Sequence, residues 1–333
     1  MVDQAKQAVL SRRAVLAGAA ALLSVGLGGH RGRAMAATNP LRVVTTTGIL
    51  ADALSQVGGR HVTVQALMGP GVDPHLHRQT SSDVAAATGA DIVFWHGLHL
   101  ETQLQPFFAQ LGRRKPVIAL GDALPRARLL RDEDDDTLPD PHVWFDPHLW
   151  AGVVRAACNG LSAVRPEAAA DFEENTARHL EDIAGIAKYA NAVLTSVPVQ
   201  SRILVTAHDA FNYFGRAYGY EVCGVQGVST ESEAGLRQIE KLVSLLVERR
   251  IGAIFVESSV SERNVSALIE GAEMRGHKVI IGGALYSDAA GEAGTYEGTY
   301  IGMIDHNATV IARALGGTAP MNGLAGKLTM AHG

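Results

Sequence analysis

The sequence predicts an α/β protein of two lobes, each a parallel sheet flanked by helices, joined by one long rigid helix. Three observations carry this. From Leu41 short β-branched runs alternate with helical stretches, and the same alternation starts afresh at Arg202. Between them a segment from Pro166 to Pro198 contains no internal proline and no glycine pair. Alternation of this kind marks βαβ units, whose crossovers make the strands parallel.

In the first series LRVVTTT, HVTVQAL, DIVFWHG and PVIAL read as strands, and ILADALSQVG, SSDVAAATG and LETQLQPFFAQLG as helices. In the second, RILVTA, YEVCGV, GAIFVES and KVIIGG are the strands; AFNYFGRAYG and stretches around 233–250 and 262–275 are the helices. The joining segment opens with Pro166, suited to a first helical turn, and Glu167, Asp171, Glu173 and Glu174 suit the positive end of a helix dipole. Ile183, Ala187, Ala190, Leu194 and Val197 recur at helical spacing and define its expected buried stripe. About 31 residues at a 1.5 Å rise make a rod of roughly 46 Å.

Ahead of these elements, residues 1–36 read as an export signal: the pair Arg12-Arg13, an apolar run from Ala14 to Leu27, then Ala34-Met35-Ala36. That run is too short to span a bilayer. SRRAVL resembles a twin-arginine signal, with an ordinary Sec signal as the plainer alternative. No cysteine follows the run, so a soluble periplasmic protein without a lipid anchor is expected. The expected organisation is signal 1–36, first lobe 37–165, linking helix 166–198 and second lobe 199–333. Removing the signal takes five Lys or Arg and one Asp, leaving 24 basic against 33 acidic side chains, a net charge of −9. Such a balance disfavours nucleic acid as a partner. Cys158 and Cys223 fall in different lobes and are expected as lone buried thiols.

In open α/β sheets ligands gather beyond the carboxyl ends of strands, so metal-competent side chains just after predicted strands are the candidates. His75 follows HVTVQAL, His142 follows the long loop after PVIAL, His208 closes RILVTAH, and Asp288 lies after KVIIGG. Three neutral imidazoles and a carboxylate suffice for a divalent transition metal, nitrogen favouring zinc and carboxylate admitting manganese. The spacing alone is weak, because the four are scattered from 75 to 288 and 13 histidines give ample chance matches.

The motifs GPGVDPH, HGLHLE, DPHVWFDP, TAHDAFNYFGRAYGYEV, GVQGVSTESEAG and LYSDAAGEAGTYEGTY occur in this order. Together they resemble the TroA-like zinc and manganese solute-binding proteins of ABC importers. The resemblance implies two lobes on a long helix, with one Zn²⁺ or Mn²⁺ per chain held between them as transported ligand by His75, His142, His208 and Asp288. It also implies a membrane permease with a cytoplasmic ATPase as partners, and a monomer is expected.

His77 stands where such relatives usually carry an aromatic or polar residue, which makes it an alternative ligand or a loop residue at the cleft mouth. The acidic run Asp132–Asp136 replaces the histidine-rich loop of zinc-dedicated relatives. It reads as solvated, with enrichment of cations near the site as the alternative. His148, after the N-cap pair Asp146-Pro147, belongs to a first helical turn and is expected to hold no metal. His96 and His99 are expected to pack or hydrogen-bond near the interlobe surface; His61, His179, His277, His306 and His332 have no matching metal partner. A periplasmic zinc hydrolase is the alternative function, but no HExxH is present, and no P-loop pattern supplies an energy source within this chain.

Overall fold

The computed structural model describes residues 39–132 and 135–328. From Pro40 onward the described residues form one compact unit. The expected export signal and His332 lie outside the described residues, as do Glu133 and Asp134 of the acidic run.

The first half is β1 (Leu41–Thr45), α1 (Gly48–Gly58), β2 (Val62–Ala66), α2 (Ser81–Gly89), β3 (Ile92–Trp95), α3 (Gln105–Leu111) and β4 (Val117–Ala119). Its four strands pair in parallel in the order β2-β1-β3-β4. β1 is buried on both faces at all but Arg42, as expected of a central parallel strand covered by helices. Helix starts are capped locally: Thr47 caps α1, and Thr80 with Asp83 forms a reciprocal capping box on α2.

α4 (Pro147–Val164) begins at the Asp146 cap, whose carboxylate accepts from the His148 and Leu149 amides. A tight turn over Pro166–Ala168 then leads into α5 (Ala169–Leu194), a continuous helix of 26 residues, or about 39 Å. Its buried face runs Phe172, Thr176, His179, Ile183, Ile186, Ala190 and Val193. That seam repeats every three or four residues, so Ile186 fills the place expected for Ala187, which is only half-buried.

The second half contains β5 (Ile203–Thr206), α6 (Asn212–Tyr218), β6 (Glu221–Gly224), α7 (Leu236–Glu248), β7 (Ala253–Glu257), α8 (Arg263–Met274), β8 (Ile280–Leu285) and α9 (Tyr300–Ala314). Two parallel ladders form, β5 with β6 and β7 with β8, and β5 lies beside β7. β5 and β7 are buried throughout and aim their carboxyl ends at one region.

One apolar core runs through both halves and the long helix. It joins Val43, Phe94, Trp144 and Trp150 to Ile186, Phe211, Phe255 and Ile311. Rings from the two halves stack directly, Phe145 on Phe211 at 4.4 Å and Trp150 on Tyr300 at 5.2 Å. Buried hydrogen bonds add to this: Trp144 Nε1 donates to Ser287 O, Tyr213 Oη to Asp140 O and Tyr300 Oη to Trp144 O, at 2.9, 2.9 and 3.0 Å. The two halves are thus fastened together beneath the convergence of strand ends. Interiors packed this closely resist bending.

Candidate metal centre

Four loops meet where the strands end. His75 lies in the loop after β2, and Asp73 Oδ1 accepts from the His75 amide at 2.8 Å. His142 precedes a 3₁₀ turn over Val143–Phe145. Asp140, itself buried, accepts from both the His142 amide (2.9 Å) and Nδ1 (2.8 Å). His208 follows β5 and repeats the arrangement with Glu257 at the end of β7, its amide at 2.9 Å from Oε1 and its Nδ1 at 2.5 Å from Oε2. Asp288 comes from the loop after β8 and is buried. An Nδ1–H committed to a carboxylate fixes the tautomer and leaves the Nε2 lone pair free to face inward.

The inward atoms converge. His142 Nε2 is 3.4 Å from both His75 Nε2 and His208 Nε2. Asp288 Oδ1 lies 3.3 Å from His142 Nε2, and Oδ2 lies 3.2 Å from His208 Nε2 and 3.9 Å from His75 Nε2. All four candidate ligand atoms fall within 4.8 Å of one another. Arms of about 2.0–2.1 Å, as in zinc sites, define a tetrahedron with edges of about 3.3–3.4 Å. The three edges that run from His142 Nε2, to His75 Nε2, His208 Nε2 and Asp288 Oδ1, match that length with no ion assumed. Neither carboxylate oxygen of Asp288 has a hydrogen-bond partner among the described residues, although both are buried. A buried carboxylate faced by the imidazoles of His142 and His208 is costly unless positive charge stands beside it, which those rings when protonated, or a cation in the centre, would supply.

The electrostatics agree. Burial holds His75 neutral, lowered to about 3 against the opposing pull of Asp288. On His142 burial is outweighed by Asp140 and Asp288, and the ring is pushed up to about 9. His208 is likewise raised well above the usual histidine range, burial losing to Glu257 and then Asp288. Asp288 is held well below the carboxylate range, because the neighbouring His208 and His142 overcome its burial. Two protons, on His142 and His208, therefore occupy the place that the double charge of a metal would take.

Around the ligands the HGLHLE motif acts as scaffold. His96 is buried, donates from Nε2 to Pro141 O at 2.7 Å and meets the Trp144 ring edge-on, which braces the loop of His142. The fully buried Glu101 accepts from Thr46 Oγ1 and from the His96 and Gly97 amides. Gly97 has φ +81, and a Cβ there would lie 2.9 Å from Ala119 Cβ, so the turn needs glycine.

Every one of the four sequence-predicted ligands is brought to this centre, and His77 is not. His77 Nε2 sits 3.0 Å from Asp83 Oδ2, on the N-terminal cap of α2. His148 is exposed in the first turn of α4, as expected. His99 differs from expectation: it is exposed, with a left-handed φ of 65°, at the tip of a turn rather than packed against the cleft. His61, left without a metal partner, pairs with Asp171 at 2.6 Å at the start of the long helix. Cys158 is buried, whereas Cys223 is only half-buried; both are free thiols. Sequence reasoning missed Glu257. A charged residue ending the otherwise apolar run AIFVE was the available signal.

Comparison with known proteins places these features in context. The profile described as "ZnuA: Zinc-uptake complex component A periplasmic" matches residues 43–314. The chain is 46% identical over 279 residues to the manganese-binding lipoprotein MntA of Bacillus subtilis, covering 84% of this chain and 91% of that protein. It is 43% identical over 273 residues to the zinc-binding protein TroA of Treponema pallidum, covering 82% and 88%. The solved structure of the periplasmic zinc-binding protein TroA from Treponema pallidum superposes with a TM-score of 0.81, over 83% of this chain and 99% of that one.

Proposed function

This chain belongs to the zinc-uptake complex component A family, and on that premise we propose that it captures one Zn²⁺ or Mn²⁺ between His75, His142, His208 and Asp288 and passes it to the permease of an ATP-driven importer. The observation that carries the reading is the convergence of four buried ligand atoms within 4.8 Å of one another, with His142 Nε2 standing 3.3 to 3.4 Å from the other three. The relatives' printed metals, manganese for MntA and zinc for TroA, support both ions as candidates. The nitrogen-rich ligand set binds zinc more tightly than manganese at equal concentration. Both Asp288 oxygens face the centre, which allows the wider coordination that manganese accepts.

The reading is one of coordination without catalysis, and the donor set supports it. A catalytic zinc keeps one position open for water, whereas here Asp288 fills the fourth place. The hydrolase alternative finds no support. The proposal includes export by the twin-arginine route and action as a monomer beside a membrane permease and its ATPase. No described helix is long and apolar enough to cross a membrane.

The test is metal analysis of the chain taken directly from its native periplasm, joined to a titration of stripped protein. One tight Zn²⁺ or Mn²⁺ per chain is the expected result. Two equivalent strong sites, or none, would overturn the assignment.

A further inference from the structure

We propose that Asp73 is a positioning residue that, with Thr230, latches the His75 loop shut over the captured ion; this rests on the metal-binding reading above. The three imidazoles are not held alike. His142 and His208 each have a buried carboxylate of their own half on Nδ1, Asp140 and Glu257. Among the described residues no carboxylate stands on Nδ1 of His75. Its loop is held through the backbone, where Asp73 Oδ1 accepts from the His75 amide at 2.8 Å.

The second oxygen of the same carboxylate reaches across the cleft. Asp73 Oδ2 accepts from Thr230 Oγ1 at 2.6 Å, and Thr230 is buried in the segment between β6 and α7. The next residue of that segment is clipped to the first half as well: Glu231 Oε1 accepts from Thr102 Oγ1 and Gln103 Nε2, both at 2.9 Å. On the other side of the loop Gly71 takes φ +70, and a Cβ there would stand 3.2 Å from Ser258 O. The segment carrying His75 is therefore pressed against the second half from two directions. Immediately beyond His75, Leu76 is 52% exposed, so this loop forms the outer wall of the centre.

These observations define an order of events. The rings of His142 and His208 are fixed by buried carboxylates above a continuous core, so an ion that leaves must first lose His75. Swinging His75 outward breaks the Asp73 to Thr230 bond, since one carboxylate serves both the ligand's amide and the opposite half. A hydrogen bond to a charged acceptor is among the stronger kinds, which makes this contact suited to setting a release rate.

Thr230→Val removes the hydroxyl while leaving every charge and ligand in place. In the full chain loaded with Zn²⁺ and mixed with EDTA, release from this variant is expected to be about tenfold faster than wild type, the factor carried by about 1.4 kcal/mol. Thr230→Ser should restore release to within about twofold of wild type. The visible spectrum of the Co²⁺-loaded protein and the near-ultraviolet circular dichroism of the stripped protein should be the same in all three, which separates a latch from damage to the ligands or the fold. Release from Thr230→Val within twofold of wild type, or Thr230→Ser as fast as Thr230→Val, overturns the latch while leaving metal binding intact. Wild-type protein that retains no Zn²⁺ overturns the binding reading and the latch with it.

Discussion

At the scale of single residues, the difference between ligand and bystander is set by what stands behind each imidazole. His142 and His148 share the local sequence Asp-Pro-His, yet the first preceding carboxylate orients a ring and the second caps a helix. Asp140 accepts from His142 Nδ1, whereas Asp146 accepts from the backbone amides of His148 and Leu149. His142→Ala should lose at least about tenfold in metal affinity under chelator competition, roughly 1.4 kcal/mol or more, and His148→Ala should stay near wild type. The reverse order would overturn the proposed centre. Glu257→Gln keeps the shape of the contact on His208 but removes the charge that orients and strengthens the ligand. Its affinity should fall by about 10- to 100-fold in the same assay.

At the scale of elements, the long helix α5 is held by its buried seam and not by intrinsic propensity. Ile186 is buried in the common core, while at Gly185 an added Cβ would meet nothing within 4 Å. Ile186→Ala should therefore cost about 2–5 kcal/mol of unfolding free energy, through lost burial plus the cavity left behind. Gly185→Ala should stabilise by about 0.5–1 kcal/mol, because alanine loses less backbone freedom in a helix interior. Denaturant melts of the stripped protein check both, and a destabilising Gly185→Ala would show that the helix bends there. The seam also shows the limit of reading faces from sequence. Ala187 and Ile186 satisfy apolar periodicity almost equally, and only the placement of the helices packed against α5, namely α1, α4 and α9, decides between them.

At the scale of the whole molecule, protonation and rigidity shape the response to metal. Without metal, the raised values of His142 and His208 mean that the folded chain holds protons the unfolded chain releases. That stabilisation is fully present below the ordinary histidine value of 6.5 and is lost as pH rises towards about 9. His75, held neutral by burial, works the other way below 6.5. Metal replaces the protons and is itself repelled by them, so its affinity rises over the same interval. The melting temperature of loaded protein minus that of stripped protein should thus widen from about pH 6 to about pH 9 at fixed excess metal. A constant or shrinking gap would contradict the proton-for-metal exchange. Because the halves share one core and the helix spans them, solution scattering of stripped and loaded protein should differ little. A wide-open stripped form would refute this.

The sequence by itself determined the class of fold, the long helix and the four candidate ligands. His208 and Asp288 lie just after strand ends and His75 in the loop beyond one, where parallel strands deliver their carboxyl ends to one edge, but it is the length and order of the motifs that single out all four. The capping signal at Asp146 was equally plain, since a cap is a local hydrogen bond between residues two or three apart. What only the tertiary structure decided are the contacts between distant segments: Glu257 behind His208, 49 residues away, Thr230 against Asp73, 157 residues away, and one core shared across two apparent lobes. Local chemistry fixes which residues can cap a helix or bind a metal. Which carboxylate meets which imidazole depends on how the sheets and the helix between them pack, and that is a property of the whole chain.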